Sequence, residues 1–580
     1  MKKIIIYLKP YWPLLLLTVF LLLAQALAEL FLPTLMSEIV EYGIRPGYEE
    51  GIDQMGFIVR TGGLMLVIAL FAGLASISAA YISPRVSAGA ARDMRRDIFT
   101  KVENFSQAEF DKFSSASLIT RCTNDVSQIQ NLANVAARLL LYAPIIGFGG
   151  ITMALTRSVS MSWIIALAVA VLIIIVVALV SVIMPRFKIL QEMVDKLNKI
   201  SREILHGLMV IRAFGTQAHE KKRFDGINVE LRDMGLFIGR VMAVTGPAMS
   251  FIMVGTQILV IWVGSYHVAN SDLPIGDMMA FMQYAMQVII AFMMMSFMLV
   301  MVPRALVSAA RIAEVLDAQV TITDPDVPQA FGSDATLKGQ VVFENVHFRY
   351  PGAETDVISG VSFIAKPGQT TAFIGATGSG KSTIANLLLR FYDVSEGSVS
   401  LEGIDIRNVN QADLRAKIGY VPQKGQLLTG TIATNIRYGA QGLSDEEMAT
   451  AAKVAQASDF IDQREETFES EITQGGSNVS GGQRQRLSIA RALAKNPEVL
   501  LFDDSFSALD FQTDARLRKA LKEHTAEATV IVIAQRVGTI MNAEQILVLD
   551  EGQVVGRGTH NELLESCPAY HEIAASQGTI

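Results

Sequence analysis

Six stretches of this chain are too apolar and too long to serve as the interior of a soluble domain. They lie near residues 12–34, 57–82, 139–158, 161–184, 245–267 and 275–303. Each reaches the roughly 20 residues that carry a helix across about 30 Å of hydrocarbon. In lipid, every backbone N–H and C=O must be satisfied internally, and runs of this length do so as helices. The first stretch continues past a short hydrophobic core and meets no small-residue cleavage site, so it reads as a span rather than a removable signal. Lysine and arginine set the orientation. Arg85, Arg92, Arg95, Arg96 and Lys101 follow the second span, and Arg186, Lys188, Lys196, Lys199 and Arg202 follow the fourth, whereas the alternate loops hold little beyond Arg45 and Arg157. The positive-inside rule then puts both termini and the two long loops in the cytoplasm of a plasma (inner) membrane protein.

Beyond about residue 303 the pattern changes to strands, glycine turns and dispersed charge. The whole-chain values, 51% hydrophobic and 18% charged over 580 residues, therefore average two unlike halves. The fold class expected is an α-helical membrane domain over 1–318 followed by an α/β P-loop domain over 339–580. Between them, 319–338 is rich in Pro, Asp, Gly and Thr and reads as a linker. A net charge of −7 without a concentrated basic surface gives no reason to expect nucleic acid as a partner. Cys122 and Cys567 are the only cysteines, which supports neither a disulfide framework nor a cysteine metal site.

The second half carries the chemistry. The strand TAFIG runs into GATGSGKST, residues 375–383, and then into the apolar IANLLLRFY. This is G-x-x-x-x-G-K-[ST] in the strand–loop–helix context its mechanism requires. Gly375, Ala376, Thr377, Gly378, Ser379 and Gly380 let backbone amides approach phosphate closely. Lys381 adds charge at the β/γ-phosphates of ATP, Ser382 can ligate Mg²⁺, and Thr383 closes the nucleotide-binding motif ahead of the apolar helix. A second apolar strand, VLLFDD, ends in Asp503, placed to support the Mg²⁺ shell, and Asp504. Between these motifs lies NVSGGQRQRLSIARAL, in which Ser480, Gly481, Gly482 and Gln483 open a helix.

Taken together, these motifs resemble the exporter-type ATP-binding cassette (ABC) family, and SGGQ matches its signature motif. The stretches 105–131 and 203–224 resemble that family's intracellular loops, whose short coupling helices press on the nucleotide-binding domains. The resemblance implies that Tyr350 stacks on adenine, that Gln423 in YVPQ reaches the Mg²⁺ and attacking-water region, and that SALD, residues 507–510, crosses to a partner domain.

Two positions depart from the family pattern. Where the family has a catalytic glutamate after the Walker-B aspartate, this chain has Asp504, and where it has a switch histidine, this chain has Gln535. Aspartate is shorter by one methylene, about 1.5 Å of reach, and a misplacement of about 1 Å can cost roughly 100-fold in rate. Glutamine can donate a hydrogen bond but cannot titrate. In the family each ATP lies between the Walker motifs of one subunit and the signature of the other. The chain thus resembles the degenerate half of heterodimeric bacterial multidrug exporters, which implies a non-identical half-transporter as partner and hydrolysis mainly at the partner's Walker site. A lipid or peptide exporter, a siderophore importer of the same build and an ATP-gated nonhydrolysing regulator are the alternatives.

For a small-molecule substrate, two features of the membrane half stand out. The sixth span is rich in methionine, including Met282 and Met286, with Gln283 and Gln287 interspersed. Such thioethers either adapt to apolar ligands or pack against lipid and protein. Glu29 lies inside the first span, where a carboxylate is costly and therefore a candidate for function. It either pairs with a cationic ligand or hydrogen-bonds between helices.

Overall fold

The structure is a computed structural model that describes residues 2–44, 54–332, 334, 336–440 and 442–579; Arg45 lies outside the described residues. Its contacts divide the chain into two compact units. One comprises Met1–Glu103 and Ser115–Ala318, the other Asn104–Ser114 and Gln319–Ile580.

The first unit holds six helical segments long and apolar enough to cross a membrane among the described residues: Lys3–Ile44, Gln54–Glu103, Ser115–Arg157, Ser162–His206, Gln217–Ala269 and Ile275–Asp317. Each runs 42 to 53 residues and so overruns the bilayer by several turns. Only 17% of the most apolar window of Gln54–Glu103 and 29% of that of Ser115–Arg157 is buried within the chain. Faces this apolar and this uncovered are suited to hydrocarbon rather than water. The internal contact is a core in which Phe281, Tyr284, Ala285 and Val288 of the sixth segment pack with Ala26 and Leu30 of the first and Ile146 of the third. Between the fourth and fifth segments the chain breaks at Gly207, forms the short helix Leu208–Ala213 and resumes at Gln217.

The second unit is built on a six-stranded sheet. Its strands run Gln553–Gly558, Gln545–Asp550, Thr370–Gly375, Thr529–Ile533, Val499–Asp503 and Ile418–Val421 in spatial order. All pairs are parallel except the first. Val499–Asp503 is buried along its whole length, as a central parallel strand covered on both faces must be. A four-stranded antiparallel sheet packs beside it, led by Val341–Phe348. The 319–338 segment has neither helix nor strand among its described residues and is pinned within this unit: Gln329 N–H donates to the Asn408 carbonyl at 2.8 Å, and the Arg390 guanidinium to the Thr323 carbonyl at 3.1 Å.

The short helix Gln107–Phe113 also belongs to this unit. Ser106 and Glu109 form its capping box, and Ser114, at φ 53°, ends it. The chain therefore turns at Ser114, whose positive φ a helix cannot continue through. Glu109 is buried because its carboxylate also accepts from Thr321 N–H and Oγ1, at 3.3 and 3.1 Å.

Candidate functional site

Parallel register brings the separate motifs to one edge of the sheet. Ile533 stands opposite both Phe373 and Asp503, and Val421 opposite Phe502. Gly375, which ends its strand, and Asp504, Gln535 and Gln423, just past theirs, therefore emerge side by side at the carboxyl ends, where open α/β sheets place their ligands.

The loop 375–380 has the backbone that phosphate binding needs. Gly375 has φ 158°, and a Cβ there would sit 2.0 Å from the Leu549 carbonyl oxygen; Gly380 has φ 95° and would place a Cβ 2.6 Å from Ile358 Cδ1. No side chain fits at either position, so the loop closes only with glycine. Gly378 is likewise left-handed, at φ 88°, while Ala376 and Thr377 are exposed at the loop tip and Ser379 is buried beneath it. The helix Lys381–Leu388 starts directly after Gly380 and aims its free amides at the loop's concavity. Lys381 folds back over the loop, donating Nζ to the Gly375 and Ala376 carbonyls at 2.9 and 2.7 Å.

Ser382 Oγ donates to Asp503 Oδ1 at 3.0 Å, which brings a hydroxyl and a carboxylate oxygen together at the loop mouth. Burial pushes both Asp503 and Asp504 above the usual carboxylate range; for Asp503 the neighbouring Asp504 charge adds to the rise. Burial lowers Lys381 in spite of both carboxylates. The charges of this cavity are thus not balanced among themselves, and its hard oxygen donors and single ammonium suit a magnesium–phosphate group.

Asp504 is the centre of a second cluster. Its φ is 44°, its N–H donates to the Ile533 carbonyl at 2.8 Å, and it is 8% exposed. Gln535 and Gln423 both donate their side-chain amides to Asp504 Oδ2, at 3.0 and 3.3 Å. Gln535 is itself braced from the C-terminal end of the chain, because Gln577 Nε2 donates to its carbonyl and Gln577 Oε1 accepts from Val537 N–H, both at 2.8 Å.

Tyr350 follows the first strand of the antiparallel sheet and reaches the phosphate-loop helix, its hydroxyl 3.1 Å from Thr383 Oγ1. Its ring meets Tyr392 edge-on, centroids 5.1 Å apart, and the Tyr392 hydroxyl donates to Asp111 of the short helix Gln107–Phe113 at 2.7 Å. The signature segment stands apart from all of these. Ser480 caps the helix Gly481–Ala494 through a capping box with Gln483, and Gly481 and Gly482 open it, Gly481 exposed with nothing within 4 Å of where its Cβ would be.

In the membrane unit, Gln287 reaches Glu29, while Gln283 is exposed and Met282 and Met286 are half-buried. Sequence reasoning missed Tyr392, Asp111 and Gln577, and also Gln25 and Tyr142, which both donate to the Glu29 side chain. Only Gln25, one helical turn before Glu29, carried a readable signal.

Residues 15–292 match the family model of the ABC transporter transmembrane region, and residues 358–507 match that of the ABC transporter. This chain is an ABC exporter half-transporter. It is similar to an ABC transporter ATP-binding protein of Mycobacterium tuberculosis, 38% identical over 574 residues that make up 98% of this chain and 97% of that one. A Bacillus subtilis ABC transporter ATP-binding protein is 34% identical across 100% of this chain and 98% of its own. The ATP-dependent lipid A-core flippase of Pseudomonas aeruginosa is 32% identical over 88% and 84% of the two chains. A solved bacterial Atm1-family ABC exporter with ATP bound superposes with a TM-score of 0.79 at 26% identity, covering 97% of this half-transporter and 98% of that chain. The half-transporter is accordingly a multi-pass membrane protein with an ATP-driven ABC domain.

Proposed function

We propose that this half-transporter exports amphiphilic small molecules across the plasma membrane as one half of a heterodimer, with both termini cytoplasmic. Its own Walker residues form a hydrolytically weak site, and its signature completes the catalytic site of a non-identical partner. The observation that carries this reading is Asp504: a carboxylate one methylene short of the family's glutamate, with two neutral amides on its Oδ2. A carboxylate so occupied is poorly placed to orient water, and the group beside it is the Gln535 amide rather than an imidazole.

In this reading Tyr350 faces the adenine, Gly375–Thr383 holds the phosphates, and Lys381 turns from its loop carbonyls to the β/γ-phosphates. Ser382, Asp503 and Gln423 would hold Mg²⁺, which supplies charge neutralisation at the phosphates. Ser480, Gly481, Gly482 and Gln483 present the amides of the helix Gly481–Ala494 to the partner's nucleotide. Closure of the two nucleotide-binding domains is passed through the coupling helices and turns the membrane cavity outward. Hydrolysis at the partner's site, where water attacks the γ-phosphorus and the β–γ bridging bond breaks, resets it.

The purified pair tests this directly. Asp504→Ala should leave ATPase and transport within a few-fold of the parent, whereas loss of the partner's glutamate should abolish both. An equal collapse from Asp504→Ala contradicts the division of labour, as does full-speed transport by this chain alone. Similarity to lipid A-core flippases favours a second reading, lipid export by the same machinery; reconstituted pairs that move fluorescent lipid but no drug would select it.

A further inference from the structure

The membrane unit carries a polar cluster that the nucleotide chemistry leaves unused. Glu29 lies in the apolar helix Trp12–Glu38, where an ionisable side chain is costly to keep. Its two carboxylate oxygens are engaged by different parts of the chain. Gln25 donates Nε2 to Oε1 at 2.9 Å, and Tyr142 donates its hydroxyl to Oε2. Gln287, from the sixth segment, donates Nε2 to the Glu29 backbone carbonyl at 3.2 Å. Tyr142 closes a π-helical turn, Arg138–Tyr142, a local bulge of the kind that recurs at functional sites.

Both glutamines commit their N–H groups here and leave their carbonyl ends unused. Gln25 Oε1 and Gln287 Oε1 are buried and accept no hydrogen bond. A buried acceptor without a donor costs about 1–3 kcal/mol, and water in hydrocarbon is scarce. One of these oxygens belongs to the amide that bonds the Glu29 side chain and the other to the amide that bonds the Glu29 backbone carbonyl, so both free groups near this residue are acceptors. A ligand that answers all of them has a positive charge and several N–H donors on one atom.

We infer that Glu29, Gln25 and Gln287 form an intramembrane site for the protonated primary amine of an amphiphile. This rests on the export reading above and names its substrate class. An ammonium group has three N–H donors, one for the Glu29 carboxylate and one for each free amide oxygen. A quaternary ammonium offers the charge without donors, and an alcohol offers a donor without the charge. Gln283, one turn before Gln287 and exposed, continues the polar path on that helix face.

The test uses the transporter purified in its native assembly and reconstituted in nanodiscs and vesicles, with three twelve-carbon probes: dodecylammonium, dodecyltrimethylammonium and 1-dodecanol. Dodecylammonium should bind roughly ten- to a hundred-fold tighter than either of the others, the range expected of charge-assisted hydrogen bonds in a desolvated site. Glu29→Gln should remove its advantage over dodecanol. The double variant Gln25→Leu, Gln287→Leu should remove its advantage over the quaternary probe while retaining the preference for charge, which separates the site from a mere loss of folding. Equal binding of all three probes, or a preference that survives Glu29→Gln, overturns the site. ATP-dependent transport of all three alike overturns it too but leaves the export reading standing. Glu29-dependent binding of the amine with no ATP-dependent movement of it overturns export and leaves the site.

Discussion

Gln535 donates its side-chain amide to Asp504 Oδ2 at 3.0 Å, so the two residues that the sequence reading sets apart from the family pattern are bonded to each other. Neither substitution is then an independent change. A glutamine N–H satisfies a short carboxylate that cannot reach outward, and the left-handed backbone of Asp504, at φ 44°, keeps that carboxylate directed inward toward the sheet's edge.

Restoring both family residues should therefore recover hydrolysis where restoring one does not. In a pair whose partner lacks its own catalytic glutamate, Asp504→Glu with Gln535→His should raise ATPase by at least about tenfold over either single change, since positioned proton acceptors contribute about 10²–10⁴ and bonded pairs are not additive. Steady-state phosphate release measures it. Two singles that together account for the double would show that the residues act separately.

The Tyr350–Tyr392–Asp111 chain links the ring proposed to face adenine to the short helix Gln107–Phe113 within one unit. Tyr392→Phe removes the hydroxyl that Asp111 accepts from and keeps the ring that Tyr350 touches. Transport should fall about three- to tenfold, in line with a lost hydrogen bond to a charged group at about 1 kcal/mol or more. ATP affinity should stay put. Photo-crosslinked ATP binding and vesicle transport, measured side by side, check it; a parallel loss of both would mean that Tyr392 serves nucleotide binding alone.

What could be read from the chain and what could not follows from sequence distance. The phosphate loop, VLLFDD and SGGQ are contiguous motifs whose function depends on backbone conformation, so Gly375, Asp503 and Ser480 were recognisable residue by residue. The six spans were legible for a similar reason, since bilayer thickness imposes a length on each. The Asp504–Gln535 bond joins residues 31 apart through parallel strand register, and Tyr392–Asp111 joins residues 281 apart; neither leaves a local pattern. The segment 319–338 looked like a free linker from composition, but composition says nothing of the pinning supplied by Asn408 and Arg390. Gln25 was the readable exception, because i and i+4 share a helix face.

Lys417 offers a stability prediction with a pH dependence. Its ammonium is shared by Glu402 and Glu498 at 3.1 and 2.6 Å, and Glu402 also accepts from Gly339 N–H at 3.0 Å. Burial alone would raise both carboxyls; the donors from Glu498, Gly339 and Lys417 outweigh it for Glu402, which is lowered, whereas burial and the Glu402 charge leave Glu498 raised. A raised Glu498 means that the folded chain binds the extra proton, so its contribution to stability falls as pH rises through that range. Lys417→Met should cost about 2–4 kcal/mol at neutral pH by stranding two carboxylates, and acidification should recover part of the loss as Glu498 takes up its proton. Thermal unfolding of the full chain from pH 5 to 8 reads this; a loss that is constant across that range would rule out the repulsion.

Gly481 is exposed at the start of the helix Gly481–Ala494, with open space around the position of its absent Cβ and no left-handed φ. A larger side chain there meets nothing in this chain, and Gly481→Val should change local stability by no more than about 1 kcal/mol, the intrinsic helix-propensity range. Its effect must then come from what approaches the helix end. In the heterodimer reading that is the phosphate of the partner's ATP, and a branched side chain would hold it away from the helix amides; an error of about 1 Å at such a point costs roughly 100-fold. ATPase of the pair should drop by that order while ATP binding at this chain's own Walker residues, followed with a photoreactive nucleotide, is unchanged. Full ATPase in the Gly481→Val pair would mean that this signature completes no productive site, and the division of labour between the two chains would have to be reversed.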